Sequence, residues 1–161
     1  MGFYSKIKAR LHKSSQDKLK DGSNFFQNLS VGELKKFKHL YFERKYTKGE
    51  ILFKEDYPHA VLYIIKSGSI SITINTKEGA IELTKLYEGD YFGELGLFID
   101  SLRTADVVAI EDCTLYAVSK NLFKTFIEKH PRIGSKILYS IAQKLSKDLT
   151  ETNKMLKKND I

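Results

Sequence analysis

The residues with the clearest chemical potential lie in one stretch: Gly89-Asp90-Tyr91-Phe92-Gly93-Glu94-Leu95-Gly96-Leu97-Phe98, then Arg103-Thr104-Ala105-Asp106-Val107. Gly93 has no side chain, so its backbone can lie close to a ligand. The amides of Glu94 and Leu95, at the start of an adjoining helical turn, can point at an anion. Arg103, nine residues after Glu94, offers a planar fork of donors that matches phosphate oxygens. The amides of Thr104 and Ala105 can add donors from the strand that follows. Glu94 is acceptor-only when ionised, so it suits a hydroxyl donor and would repel a phosphate that touched it. The set reads as an anion site with a hydroxyl-reading carboxylate beside it. Gly93 alone would be an ordinary turn, and only the combination argues for a site.

These residues resemble the phosphate-binding cassette of the cyclic nucleotide-binding domain family. That cassette runs approximately Phe-Gly-Glu-Leu/Ile-Ala/Gly/Ser-Leu, a few residues, then Arg-Ala/Ser/Thr-Ala-x-Val. The resemblance extends over about Asn24 to Lys158. It takes in Gly49-Glu50, the Leu62-Tyr63-Ile64 strand before Gly68, Gly89-Asp90 and two helices around Pro131. It implies an α+β fold: an eight-stranded antiparallel jelly-roll barrel with an N-terminal helix, C-terminal helices and a short helix inside the cassette. It implies a cyclic nucleotide as ligand, cAMP ahead of cGMP, with Glu94 on the ribose 2′-hydroxyl and Arg103 on the singly charged cyclic phosphodiester. Deoxyribose or an extra phosphate should fit worse.

Base recognition is less legible. By position Ile72, Leu83 and Thr84 resemble residues on the base side of the family's pocket, although alternating strand apolars are more often plain core. Thr104 stands where family members can bond a guanine amino group, a placement also found in adenine-responsive members, so cGMP stays open. From the last helix Lys144, Asp148 or Thr152 could reach a base edge, against the default of a solvated helix surface. The competing reading is a degenerate, ligand-free barrel serving as an interaction module, with Arg103 and Glu94 paired as an ion bridge.

These residues need elements to position them. Ser30 with Glu33 forms a capping box, and Leu34, Phe37, Leu40 and Tyr41 supply an apolar face, which predicts a helix over residues 24–42. From Gly49 to Val118 short runs alternate with period two, clearest in Ile70, Ile72 and Ile74, and turn signals recur at Lys48-Gly49, Tyr57-Pro58, Ser67-Gly68, Glu78-Gly79 and Glu88-Gly89-Asp90. That is an antiparallel β region of sandwich or barrel type. Ser119 can cap a helix that buries Leu122, Phe123, Phe126 and Ile127, and Pro131 opens a second helix running to about Lys158. That helix would be roughly 42 Å long, too long to lie wholly on a small barrel. Ile133, Ile137 and Ile141 suit packing on the barrel. Leu138, Ala142, Leu145, Leu149, Thr152 and Leu156 then follow coiled-coil spacing and predict a parallel homodimer.

The whole chain, 161 residues and 42% apolar, fits one domain, here divided as a basic arm over 1–23 and a domain over 24–161. Its net charge of +7 is uneven: residues 1–24 carry six bases and two acids, residues 25–128 thirteen and fifteen, and residues 129–161 eight and three. Basic ends could touch DNA electrostatically, as a transcription regulator would, but base-specific readout needs an element that the pattern does not supply, since a helix-turn-helix would have to follow Ile161. No apolar run approaches the roughly 18 residues of a membrane span and no leader is evident, so the expected location is the cytoplasm. The single cysteine, Cys113, and the scattered histidines, His39 and His59 among them, predict no metal site. No nucleophile–base pair accompanies Arg103, so binding without catalysis is expected. The reading is thus a stand-alone sensor that passes its output to an unidentified effector protein.

Overall fold

The computed structural model describes residues 25–58, 60–77 and 79–158. The basic arm predicted over 1–23 and His59 lie outside the described residues. Helix α1 (Val31–Phe37) opens on the capping box: the Ser30 hydroxyl accepts from the Glu33 amide and the Glu33 carboxylate from the Ser30 amide. A 3₁₀ turn, Lys38–Leu40, continues it. The helix is shorter than the 24–42 expected. Phe25 and Phe26 sit in a turn, where they join an aromatic cluster with Phe37 and Tyr91, at ring separations of 5.1 to 5.4 Å. Their apolar character serves tertiary packing rather than a helical face.

The β region also begins earlier than expected, at β1 (Phe42–Tyr46), before Gly49. Then follow β2 (Ile51–Phe53), β3 (Val61–Ser67), β4 (Ile70–Thr76), β5 (Gly79–Leu86) and β6 (Tyr91–Phe92). After the short helix α2 (Leu95–Phe98) come β7 (Asp106–Ala109) and β8 (Cys113–Ser119). All pairings are antiparallel, in two four-stranded sheets of order β1-β8-β3-β6 and β2-β7-β4-β5. The eight strands form a jelly roll, the expected fold class.

Two apolar clusters hold it together. Inside the roll, Ile65, Ile70, Phe92, Val107, Ala109 and Leu115 pack between the sheets. On the outer face of the β1-β8-β3-β6 sheet, Leu62, Ile64, Tyr116 and Val118 meet the helices. Ser119 caps α3 (Lys120–Lys129), whose buried residues are Phe123 and Phe126. Leu122, expected inside, is 38% exposed because it falls at the edge of that face. The chain breaks at His130 and resumes as α4 (Pro131–Lys158). Ile133, Ile137 and Ile141 are all buried, at four-residue spacing that places them along one face. From Ser146 to Lys154 the side chains of α4 are exposed, so the distal helix extends past the core as its length requires. No helix of the described residues is long and apolar enough to cross a membrane.

Candidate functional site

Sheet edge and helix together enclose a cavity of about 510 Å³. The loop from β6 into α2 brings Gly93, Glu94 and Leu95 to its wall, and the segment before β7 brings Arg103, Thr104 and Ala105. Strands β4 and β5 contribute Ile72, Leu83 and Thr84, and α4 contributes Asp148, so all ten candidate residues line one space. Thr104 and Ala105 lie in a bend that precedes β7, rather than in the strand itself. Lys144 and Thr152 line the same cavity.

Gly93 has to be glycine. Its φ is +80°, and a Cβ there would come within 2.7 Å of both Arg103 Nη1 and the Val61 carbonyl oxygen. The backbone thus turns through a left-handed conformation pressed against the guanidinium it helps to position.

Arg103 is 5% exposed. Its Nη2 donates to the Val61 carbonyl at 3.1 Å, while Nε and Nη1 have no hydrogen-bond partner. The guanidinium stacks 3.8 Å from the Phe53 ring centroid, and Phe53, Tyr63 and Phe92 form a continuous aromatic stack beneath it. An aromatic face thus stands where a carboxylate would be expected, and burial pulls the group down to about 10 from 12.5, still charged at neutral pH. A buried cation with free donors is costly to keep, and an anion in the cavity would relieve that cost.

Glu94 is equally buried but differently bound. Its Oε1 accepts from Lys144 Nζ at 2.7 Å, and Lys144 also donates to Asp148 Oδ2 at 2.8 Å. The bridge between Glu94 and Arg103 expected with the degenerate-barrel reading is not formed, because the carboxylate is engaged from the opposite wall. Burial pulls the Lys144 ammonium down, but the charge of Glu94 and the two hydrogen bonds outweigh it, and its pKa ends up raised. Tyr91, against the same ammonium, has its phenol pushed up by burial and then by the charges of Glu94 and Asp148.

Several lining residues were not singled out from sequence. Phe53, from β2, is one of them. Lys147 and Glu151 join Lys144, Asp148 and Thr152 on one α4 face, and their three- and four-residue spacing was the available signal. Among the described residues no group of His, Cys, Asp and Glu could hold a metal ion.

Comparison with known proteins places the chain in a family. Residues 43–130 match the family model of the cyclic nucleotide-binding domain. The chain is similar to the cAMP-dependent protein kinase regulatory subunit of Debaryomyces hansenii, 34% identical over 70% of this chain and 24% of that one. It is also similar to cyclic GMP-binding protein C of Dictyostelium discoideum, 29% identical over 63% of this chain and 4% of that one. Among solved structures it resembles the Thermus thermophilus catabolite activator protein, with a TM-score of 0.76 and 25% identity, covering 84% of this chain and 62% of that one. The chain spans less than a third of the length of these curated relatives.

Proposed function

The chain belongs to the cyclic nucleotide-binding domain family, and from that premise we propose that it is a non-catalytic sensor that binds a cyclic nucleotide, cAMP ahead of cGMP, in the cavity described above. The observation that carries this reading is Arg103: a buried guanidinium with two nitrogens unpartnered, on a residue that lines a cavity of about 510 Å³. A cyclic phosphodiester supplies one negative charge and acceptor oxygens for those donors. Gly93 lets the backbone approach, and the amides of Glu94, Leu95, Thr104 and Ala105 add donors nearby. Glu94 has one carboxylate oxygen committed to Lys144, and the other is left to accept from a ribose 2′-hydroxyl. Ile72, Leu83 and Thr84 face the base, with Asp148 and Thr152 of α4 opposite.

The proposed output is mechanical: α4 forms one wall of the cavity and carries the exposed Leu149 away from the domain, toward a second copy of the chain or a separate effector. Ligand that favours one placement of this helix shifts the population toward it.

Calorimetric titration of the dialysed protein with cAMP, cGMP, 5′-AMP and 2′-deoxy-cAMP tests the reading. Saturable binding of one cyclic form, weakened in the deoxy analogue and in 5′-AMP, is expected. Absence of binding to all four, with no nucleotide carried through purification, would return the protein to the degenerate-barrel reading and turn attention to protein partners of α4.

A further inference from the structure

Helix α4 is fastened to the rest of the molecule by a polar stripe at four-residue spacing, Lys136, Ser140, Lys144 and Asp148, which lie along one face. Lys136 pairs with Glu33 of α1 at 2.8 Å. Ser140 accepts from Asn28 Nδ2 at 2.8 Å, and its carbonyl accepts from the Tyr91 hydroxyl at 3.3 Å. Lys144 pairs with Glu94. Beyond Lys144 the pattern changes: Ser146, Thr150 and Thr152 bond to carbonyls of α4 itself, and Asp148 accepts from Lys144. Among the described side chains, Lys144 is thus the last on α4 to bond another element. Lys147, Asp148, Glu151 and Thr152, which line the cavity, are held over it by the stiffness of the helix, by the packing of Leu145 on the core and by this one polar attachment.

Two of the three N–H groups of the Lys144 ammonium are taken by Glu94 Oε1 and Asp148 Oδ2, and the Tyr91 ring lies against the cation with its centroid 5.3 Å away. The Lys144 side chain is only 13% exposed. It is therefore poorly placed to take a ligand phosphate directly, in contrast to Arg103. What it does control is the Glu94 carboxylate: with Oε1 fixed by a charge-assisted bond, rotation of the carboxylate is restricted and Oε2 is the oxygen left for a ligand.

We infer that Lys144 is a positioning residue with two linked tasks, orienting the Glu94 carboxylate toward a sugar hydroxyl and seating the distal half of α4 over the cavity through that same carboxylate. The first task rests on the cyclic-nucleotide reading above; the second does not. Because one ion pair performs both, ribose recognition and lid placement are coupled: a ligand hydroxyl that settles Glu94 also settles the helix, and a loosened helix disorders the hydroxyl acceptor.

The test is Lys144→Met, which keeps the apolar stem and removes the charge, with Lys144→Arg as the conservative variant. In titrations, Lys144→Met is expected to weaken cAMP about tenfold and 2′-deoxy-cAMP less than threefold, so that discrimination between them collapses. Lys144→Arg should recover most of it. Equal weakening of both nucleotides would overturn the orienting task, because it would mark Lys144 as a general lid contact.

Amide exchange without nucleotide tests the seating task. Lys144→Met and Glu94→Gln should each accelerate exchange of the α4 amides after Lys144, and the double variant should add nothing to the larger single effect. Unchanged exchange in both singles, or full additivity in the double, would overturn the tie. Failure of wild-type protein to bind any cyclic nucleotide would sink the ribose half together with the reading of the cavity, and the exchange result would still decide the seating half.

Discussion

The two walls of the cavity handle positive charge in opposite ways. On the barrel wall Arg103 is buried on an aromatic stack, with two guanidinium nitrogens lacking any partner. On the helix wall Lys144 is nearly as buried, yet it is bonded to two carboxylates, Glu94 and Asp148, and lies against the Tyr91 ring. Desolvating a cation is unfavourable in both places, but only the helix wall compensates with carboxylates of the protein, whereas Arg103 has one backbone carbonyl and an aromatic face. On the proposed function the difference divides the roles: the barrel wall would take an anion from outside, and the helix wall is organised around itself. It also explains why the carboxylate nearest the cassette does not neutralise the arginine. Were Glu94 paired with Arg103, the anion site would be filled by the protein's own side chain.

The largest expected effect comes from removing the unpaired charge. Arg103→Ala should weaken the cyclic nucleotide by about 30-fold to several thousand-fold, or roughly 2 to 5 kcal/mol, since a buried phosphate is left without its cation. Titration of the variant reads this directly. The fold should survive, because no ion pair of the protein depends on Arg103 among the described residues. A variant that binds within threefold of wild type would erase the contrast between the walls, and the aromatic stack under Arg103 would then be its whole purpose.

Next in size is the effect on self-association, which sharpens the comparison within α4. We propose that the exposed stripe of this helix pairs with a second copy. The seam expected from sequence divides in two: Leu138 and Leu145 are half-buried against the domain's own core, whereas Ala142, Leu149 and Thr152 are exposed, Leu149 at 62%. The side chain of Leu156 lies outside the described residues. Leu149→Glu is therefore a cleaner probe than a change at Leu145, which would also disturb the core. It should raise the dimer dissociation constant by roughly 100-fold or more by placing an unpaired carboxylate in each half of the seam. Sedimentation shows the shift, and circular dichroism should be unchanged. An unaltered dimer would place the interface elsewhere, and a monomeric wild type would remove it.

What could be read from sequence divides along similar lines. The cassette was legible because its chemistry is local: Gly93, Glu94 and Arg103 lie within ten residues of each other, and glycine next to an acceptor and a fork of donors is a rare combination. The capping box and the β4 alternation were legible for the same reason. Strand β1 was not, since Phe42-Glu43-Arg44-Lys45-Tyr46 is an exposed edge strand with no buried face to impose alternation. The length of α1 was overestimated because Phe25 and Phe26 carry helix-compatible apolarity into a tertiary cluster. The role of Lys144 was hidden most deeply. Sequence offered this lysine only as one that could reach a base edge, and its partner Glu94 is 50 residues away. Only the packing of α4 over the cassette brings the two together.

The smallest expected effect concerns the other end of the polar stripe, and it tests whether burial is what distinguishes the Lys144 tie. Lys136 and Glu33 make a similar contact at 2.8 Å, but their side chains are 44% and 20% exposed. The hydrogen bond from Lys136, followed by that from the Ser30 amide, holds the Glu33 carboxyl down at about 2, from 4.5. A carboxylate depressed on folding contributes stability that is present above its unfolded value and is lost as pH falls through the folded one. The window therefore runs from about pH 4.5 to about pH 2. Solvent screening limits the contribution to under about 1 kcal/mol. Wild type should melt slightly above Glu33→Gln at pH 6, and the gap should close as the pH is lowered through that window. A gap that persists at the lower end would come from the capping geometry and not from charge. If Glu33→Gln at neutral pH loosened the distal α4 amides as much as Lys144→Met, an exposed pair would be holding the lid as firmly as a buried one. The distinction drawn between the two ties would then fail, while the unpaired Arg103 opposite them would be untouched.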